Sequence, residues 1–145
     1  MNLAFAFISL FMLSSADVPT VMREFHDLNS EKQESLFLKN YTSSTNPSVL
    51  AYVVTLEIKQ AEYAFSPLKK YNIFQAGKDK LDKLVTQNPE NIHLRYMRYL
   101  IQKRTPSFLG YNTFLDEDER KLKSYLASSI DSDSLRMSIR KNCSL

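Results

Sequence analysis

The stretch Asn88-Pro89-Glu90-Asn91-Ile92-His93-Leu94-Arg95-Tyr96-Met97-Arg98-Tyr99-Leu100-Ile101-Gln102-Lys103 reads as one helix with almost no face left for water. Asn88-Pro89 is its boundary: the residue before a proline is pushed out of helical geometry, whereas a proline at the first turn of a helix gives up only an N–H that has no partner there. Projected at about 100° per residue, Ile92, Leu94, Tyr96, Met97, Tyr99, Leu100 and Ile101 cover most of the circumference, and Arg95, Arg98 and Gln102 form the one narrow polar strip. A helix that is apolar nearly all round has to be enclosed by others. Residues 90–103 are therefore expected to be the central helix of an all-α protein.

The same punctuation recurs upstream. Asn46-Pro47 opens a helix expected to run to about Phe65, and Ser66-Pro67 opens another whose apolar stripe is Leu68, Tyr71, Phe74, Gly77, Leu81, Leu84 and Val85. Gly77 lies on that stripe, where a missing side chain lets a neighbouring helix come close, at the cost of a weaker helix. Val18, Val21, Met22, Phe25 and Leu28 share one face of a helix over 18–28, and Ser30 with Gln33 is a capping-box pattern at the head of a helix over 31–41. Downstream, Thr105 to Thr113 is a loop marked by Pro106 and Gly110, and Asp116 with Glu119 begins a helix through about Ser128. No element is predicted after Ser129. Only 2 Gly and 5 Pro among 145 residues agree with long uninterrupted helices. The expected architecture is a compact bundle of about five to six helices, with residues 17–145 as a single helical domain.

Residues 1–16 carry no charge: an apolar run from Leu3 to Leu13 precedes Ser14-Ser15-Ala16, the small residues a signal peptidase needs. This predicts a signal peptide over 1–16, cleavage after Ala16 and an exported protein, periplasmic or secreted. No Lys or Arg stands between Met1 and the run, so an apolar first helix or an uncleaved anchor is the alternative. The run is shorter than the about 18 to 20 residues of a membrane-spanning helix, and no second candidate follows, so no stable span is expected after cleavage. Cys143 is the only cysteine, which rules out an internal disulfide. A net charge of +3, dispersed along the chain, is no nucleic-acid footprint. Asn40-Tyr41-Thr42 and Asn142-Cys143-Ser144 match the glycosylation acceptor pattern, which has meaning only in a eukaryotic secretory route.

The Asn-Pro joints, one of them following Leu84-Val85 and leading into Asn91, resemble the joints of tetratricopeptide-type helical hairpins, which implies hairpin packing of successive helices. No second copy of the repeat is legible, so the peptide-binding residues of such repeats do not carry over. As a whole, and most of all around Lys103 to Asn112, the chain resembles small exported bacterial helical proteins of unassigned function. That resemblance implies no mechanism.

Four patterns could carry chemistry. Glu90-Asn91-Ile92-His93 has the Glu-x-x-His spacing of carboxylate-bridged metal bundles, but the second pair such a site needs is missing: His26 is the only other histidine and has no carboxylate three positions before it. Asp116-Glu117-Asp118-Glu119 lacks the glycine turn and alternating ligands of a calcium loop and suits a helix start. No metal and no cofactor are expected. Glu57 projects into the sector of Leu50, Val53, Val54, Ala61 and Ala64, so it reads either as an acid of raised pKa in a cleft or as a buried acid paired with Arg95 or Arg98. The loop from Thr105 to Phe114 carries Phe108, Tyr111 and Phe114, which are partner anchors if exposed and a plug for the end of the bundle if folded inward. Two functions follow: a noncatalytic interaction or scaffold module with a protein partner, or a small hydrolase or ligand-binding enzyme centred on Glu57.

Overall fold

The computed structural model describes residues 17–128 and 133–145; the expected signal peptide, 1–16, lies outside the described residues. The helices are α1 (Val18–Asp27), α2 (Glu31–Tyr41), α3 (Pro47–Lys59), α4 (Pro67–Gln87), α5 (Ile92–Arg104), α6 (Leu115–Ala127) and α7 (Ser134–Cys143). Single 3₁₀ turns, Gln60–Tyr63 and Ser107–Leu109, follow α3 and α5. The described residues are all-helical, with no strand.

Most of the helix starts are set by side-chain caps. The amide of Ser48 donates to Asn46, that of Lys69 to Ser66, that of Leu94 to Asn91 and that of Arg136 to Asp133. Each cap satisfies one of the amides that a first helical turn leaves without a partner. At Ser30 the reciprocal bond comes from the neighbouring residue: Gln33 donates its amide to Ser30, and its side-chain oxygen accepts from the amide of Asn29. Asn88 closes α4 as expected, but the cap of α5 is Asn91, three residues later than the Asn88-Pro89 start.

Seven helices stand among the described residues, more than the five to six expected, and the one not foreseen is α7. Its Leu135, Ile139 and Cys143 fall at successive i, i+4 positions, all buried, and the helix packs on α5. The central position is also shared. In α3, Val49 and every residue from Ala51 to Leu56 are buried, as is Ile58, and the helix packs on α1, α2, α4 and α5. α5 is enclosed by α3, α4, α6 and α7. α3 and α4 meet at Gly77: a methyl group built there would overlap Ile58 Cγ1 and lie 3.3 Å from its Cδ1, so the two helices come close only because Gly77 has no side chain.

Candidate functional site

The polar strip of α5 does not face water. Arg95, Arg98 and Gln102 are buried and converge on Asp118 of α6, which is 0% exposed. Arg95 reaches Asp118 Oδ1 at 2.9 Å, Arg98 holds both carboxylate oxygens at 2.7 and 2.8 Å, and Gln102 donates to Oδ2 at 3.0 Å. Glu117 adds a second anion for Arg95 at 2.6 Å. The acidic run of α6 is thereby divided among separate partners, since Glu119 pairs with Lys123.

The pairing expected for Glu57 is not made. Glu57 is held by Lys80 of α4, at 2.8 and 2.9 Å, and its side chain is 29% exposed. It sits at the edge of the α3–α4 contact, where a lysine can reach it from solvent, while both arginines lie under α6. Glu57 does not line the cleft described below.

The ion cluster also fixes the aromatic loop. Tyr111 donates its hydroxyl to Asp82 at 2.7 Å, the amide of Phe114 donates to Gln102 Oε1 at 2.9 Å, and the Arg98 guanidinium stands 4.2 Å from the centre of the Phe114 ring. Gly110 supplies the turn, at φ 64, a left-handed conformation that side-chain-bearing residues seldom adopt. The three aromatics separate as a result. Tyr111 is buried, with its ring edge-on to Phe74 at 6.0 Å, and burial with the Asp82 hydrogen bond pushes its phenol well above the ordinary range. Phe114 is half-buried, and Phe108 is 84% exposed. Of the three, only Phe108 is largely exposed to solvent.

A cleft of about 320 Å³ opens beside this loop. Thr55, Leu56, Ile58 and Phe74 are its buried floor, Phe25, Ile101, Thr105 and Leu109 its half-buried walls, and Lys59, Glu62, Arg104 and Pro106 its exposed mouth. The threonine hydroxyls are turned to their own helices, Thr55 to the carbonyl of Ala51 and Thr105 to that of Ile101. The interior is therefore almost wholly apolar. At the mouth, Lys59 is oriented by the buried Glu34 at 2.5 Å, which also accepts from Gln60 at 2.9 Å. Burial alone would raise the Glu34 carboxyl, but these hydrogen bonds outweigh it and hold its pKa below the ordinary value. Among the described residues Arg104 has no ion-pair partner.

The apolar stripe of α4 does not end where the body of the protein ends. Phe74, Gly77, Leu81 and Val85 are buried as expected, but Leu68 is 70% exposed and Tyr71 49%, and Phe65, ahead of the helix, is fully exposed. These residues lie in the segment joining Glu62 to Phe74, both of which line the cleft, and Phe108 lies between Pro106 and Leu109, which also line it.

The Glu-x-x-His pair does not converge. Glu90 turns to Lys121 at 2.6 Å, and His93 Nδ1 shares a hydrogen bond with the Tyr52 hydroxyl at 2.5 Å. Burial pushes the His93 imidazole down to about 4. Among the described residues no three His, Cys, Asp or Glu side chains gather as metal ligands. Cys143 is buried, and burial pushes its thiol up to about 11. No protein-family model matches the chain, and comparison with curated proteins and with solved structures finds no match.

Proposed function

We propose that this protein is a noncatalytic interaction module, exported after removal of residues 1–16, that holds a partner protein on the uncovered end of α4 and on Phe108. The observation that carries the reading is the apolar stripe running past the body of the bundle, where Phe65, Leu68 and Tyr71 are left in water. Rigid aromatic and aliphatic side chains in such a position are the usual anchors of a protein interface. The occupant is a segment with an apolar face flanked by carboxylates, because Lys69 and Lys70 stand exposed on either side of the stripe, between Leu68 and Tyr71.

The hairpin resemblance belongs to the same reading. The packing of α3 on α4 and on α5, of α4 on α5 and of α5 on α6 supports that reading. No observation favours the enzyme reading, since Glu57 is neutralised by Lys80 outside any described cleft.

The test is a photo-crosslinking amino acid placed at Leu68, at Phe108 and, as a control, at the exposed Lys39 of α2, in protein expressed in its native compartment. The expected result is one discrete heteromeric adduct from the first two positions, reduced at least tenfold by Lys69→Glu with Lys70→Glu and absent from the third. No adduct, or the same adducts from all three positions, would overturn the reading.

A further inference from the structure

We propose that the cleft behind Phe74 is a binding site for the chain of a medium-length amphipathic carboxylate, with Arg104 as the anchor for its acid group. The inference does not rest on the docking of a partner at α4. Leu56, Ile58 and Phe74 in the floor carry no donor or acceptor on their side chains, and the neighbouring threonine hydroxyls have given their one proton to backbone carbonyls, so the floor has no side-chain donor to offer a ligand. A polar ligand would lose its hydration there without compensation, whereas an alkyl chain loses nothing. At about 30 Å³ for each methylene, roughly the share of a water molecule in the liquid, the 320 Å³ hold on the order of ten carbons.

The mouth supplies the sign of the head group. Arg104 presents a planar fork that matches a carboxylate and has no ion-pair partner among the described residues. Lys59 stands at the same mouth with its position fixed by Glu34, and still has donors to spare beyond that one bond. Glu62 opposes an anion from the same rim. An anionic ligand must therefore respond in opposite directions to loss of Arg104 and loss of Glu62, a response that an uncharged chain and a partner's apolar side chain both lack.

The experiment titrates the protein with decanoate, hexanoate, decanol and decyltrimethylammonium, below their micelle concentrations, and follows backbone amides by NMR. Decanoate is expected to shift the amides of Ile58, Phe74 and Ile101 and to bind more tightly than hexanoate by about two- to fourfold per added methylene. Arg104→Gln should weaken decanoate at least fivefold and Glu62→Gln should tighten it, with decanol unmoved by either change. Both positions are exposed, so both variants should fold. Three outcomes would overturn the proposal: no decanoate binding in the millimolar range, equal binding of all three ten-carbon probes with both variants silent, or shifts at Leu68, Tyr71 and Phe108 only. The last would leave the α4 surface as a binding face and the cleft as a slot for a partner's side chain.

Discussion

Asp118→Asn keeps the shape of the side chain and removes the charge on which three side chains of α5 converge. The carboxylate has only acceptors, and every group aimed at it is a donor: Arg95, Arg98 twice, and Gln102. An asparagine must turn its amide nitrogen toward one set of those donors, so a set of hydrogen bonds becomes a repulsion at a place that water does not reach. The two guanidiniums do not suffer alike. Arg95 keeps Glu117 at 2.6 Å, while Arg98 is left with Asp82 at 3.4 Å and is itself only 3% exposed. Removing one partner of a buried charge cluster costs about 3 to 5 kcal/mol. Against a total stability on the order of 5 to 15 kcal/mol, that is a large share. Urea unfolding followed by circular dichroism should show the loss directly. Adding Arg98→Met to Asp118→Asn should restore at least about 2 kcal/mol relative to the sum of the single changes, because the stranded cation goes with its partner. The same cycle between Glu57→Gln and Arg98→Met should be additive. A loss under about 0.5 kcal/mol for Asp118→Asn, or additivity with Arg98→Met, would refute the cluster as the holder of α6.

Gly77→Ala sets a helix-propensity gain of about 1 kcal/mol against an overlap with Ile58 costing about 1 to 3 kcal/mol, so it should destabilise the wild type; in an Ile58→Ala background it should stabilise, and the same sign in both backgrounds, read by thermal unfolding, would count against the close approach of α3 and α4. Because the His93 imidazole titrates near 4 in the folded protein and near 6.5 when unfolded, the unfolded chain takes up the proton first: stability is full above pH 6.5 and falls by about 3 kcal/mol as the pH drops toward 4. His93→Gln should make that window of a urea-midpoint profile shallower, with the residual slope coming from His26, whose imidazole is also lowered by burial, and an unchanged slope there would refute the assignment. The half-exposed Glu57–Lys80 pair should couple by less than about 1 kcal/mol in a double-mutant cycle and lose most of that in about 0.5 M salt; a coupling of several kcal/mol would mean that Glu57 is buried after all.

The helices were legible where a cap and a period agreed. Ser30, Asn46-Pro47 and Ser66-Pro67 place α2, α3 and α4 because each joins a side-chain acceptor or a fixed φ to an apolar repeat. α7 carried the same signal in Asp133 and the spacing of Leu135, Ile139 and Cys143, but it is short and its apolar positions alternate with Arg136, Arg140, Lys141 and Asn142, so its period was easy to pass over. The enclosure of α5 followed from its composition. What lies against its polar strip did not, since an arginine's partner is set by which helix arrives over it, and Asp118 reads in sequence as one acid of a helix start.

The candidate site was less legible, because a period gives the direction of a side chain and not the place where the bundle stops. Leu68, Tyr71 and Phe74 belong to one stripe, yet only Phe74 has a neighbour to cover it. The cleft is harder still to foresee: Phe25, Thr55, Phe74, Ile101 and Leu109 come from five separate segments and share no motif. Its connection to the ion cluster is a property of the fold alone. Gln102 bonds both Asp118 and the amide of Phe114, Arg98 bonds Asp118 and covers the Phe114 ring, and Asp82 holds Tyr111. These contacts set the loop that carries Pro106 and Leu109 into the cleft wall and Phe108 into water. The buried charges of α5 and α6 therefore set the position of the loop that borders the cleft and carries Phe108. This explains why a hydrophobic replacement of the whole cluster, which buried ion pairs often tolerate without loss of stability, should still loosen the wall of the cleft.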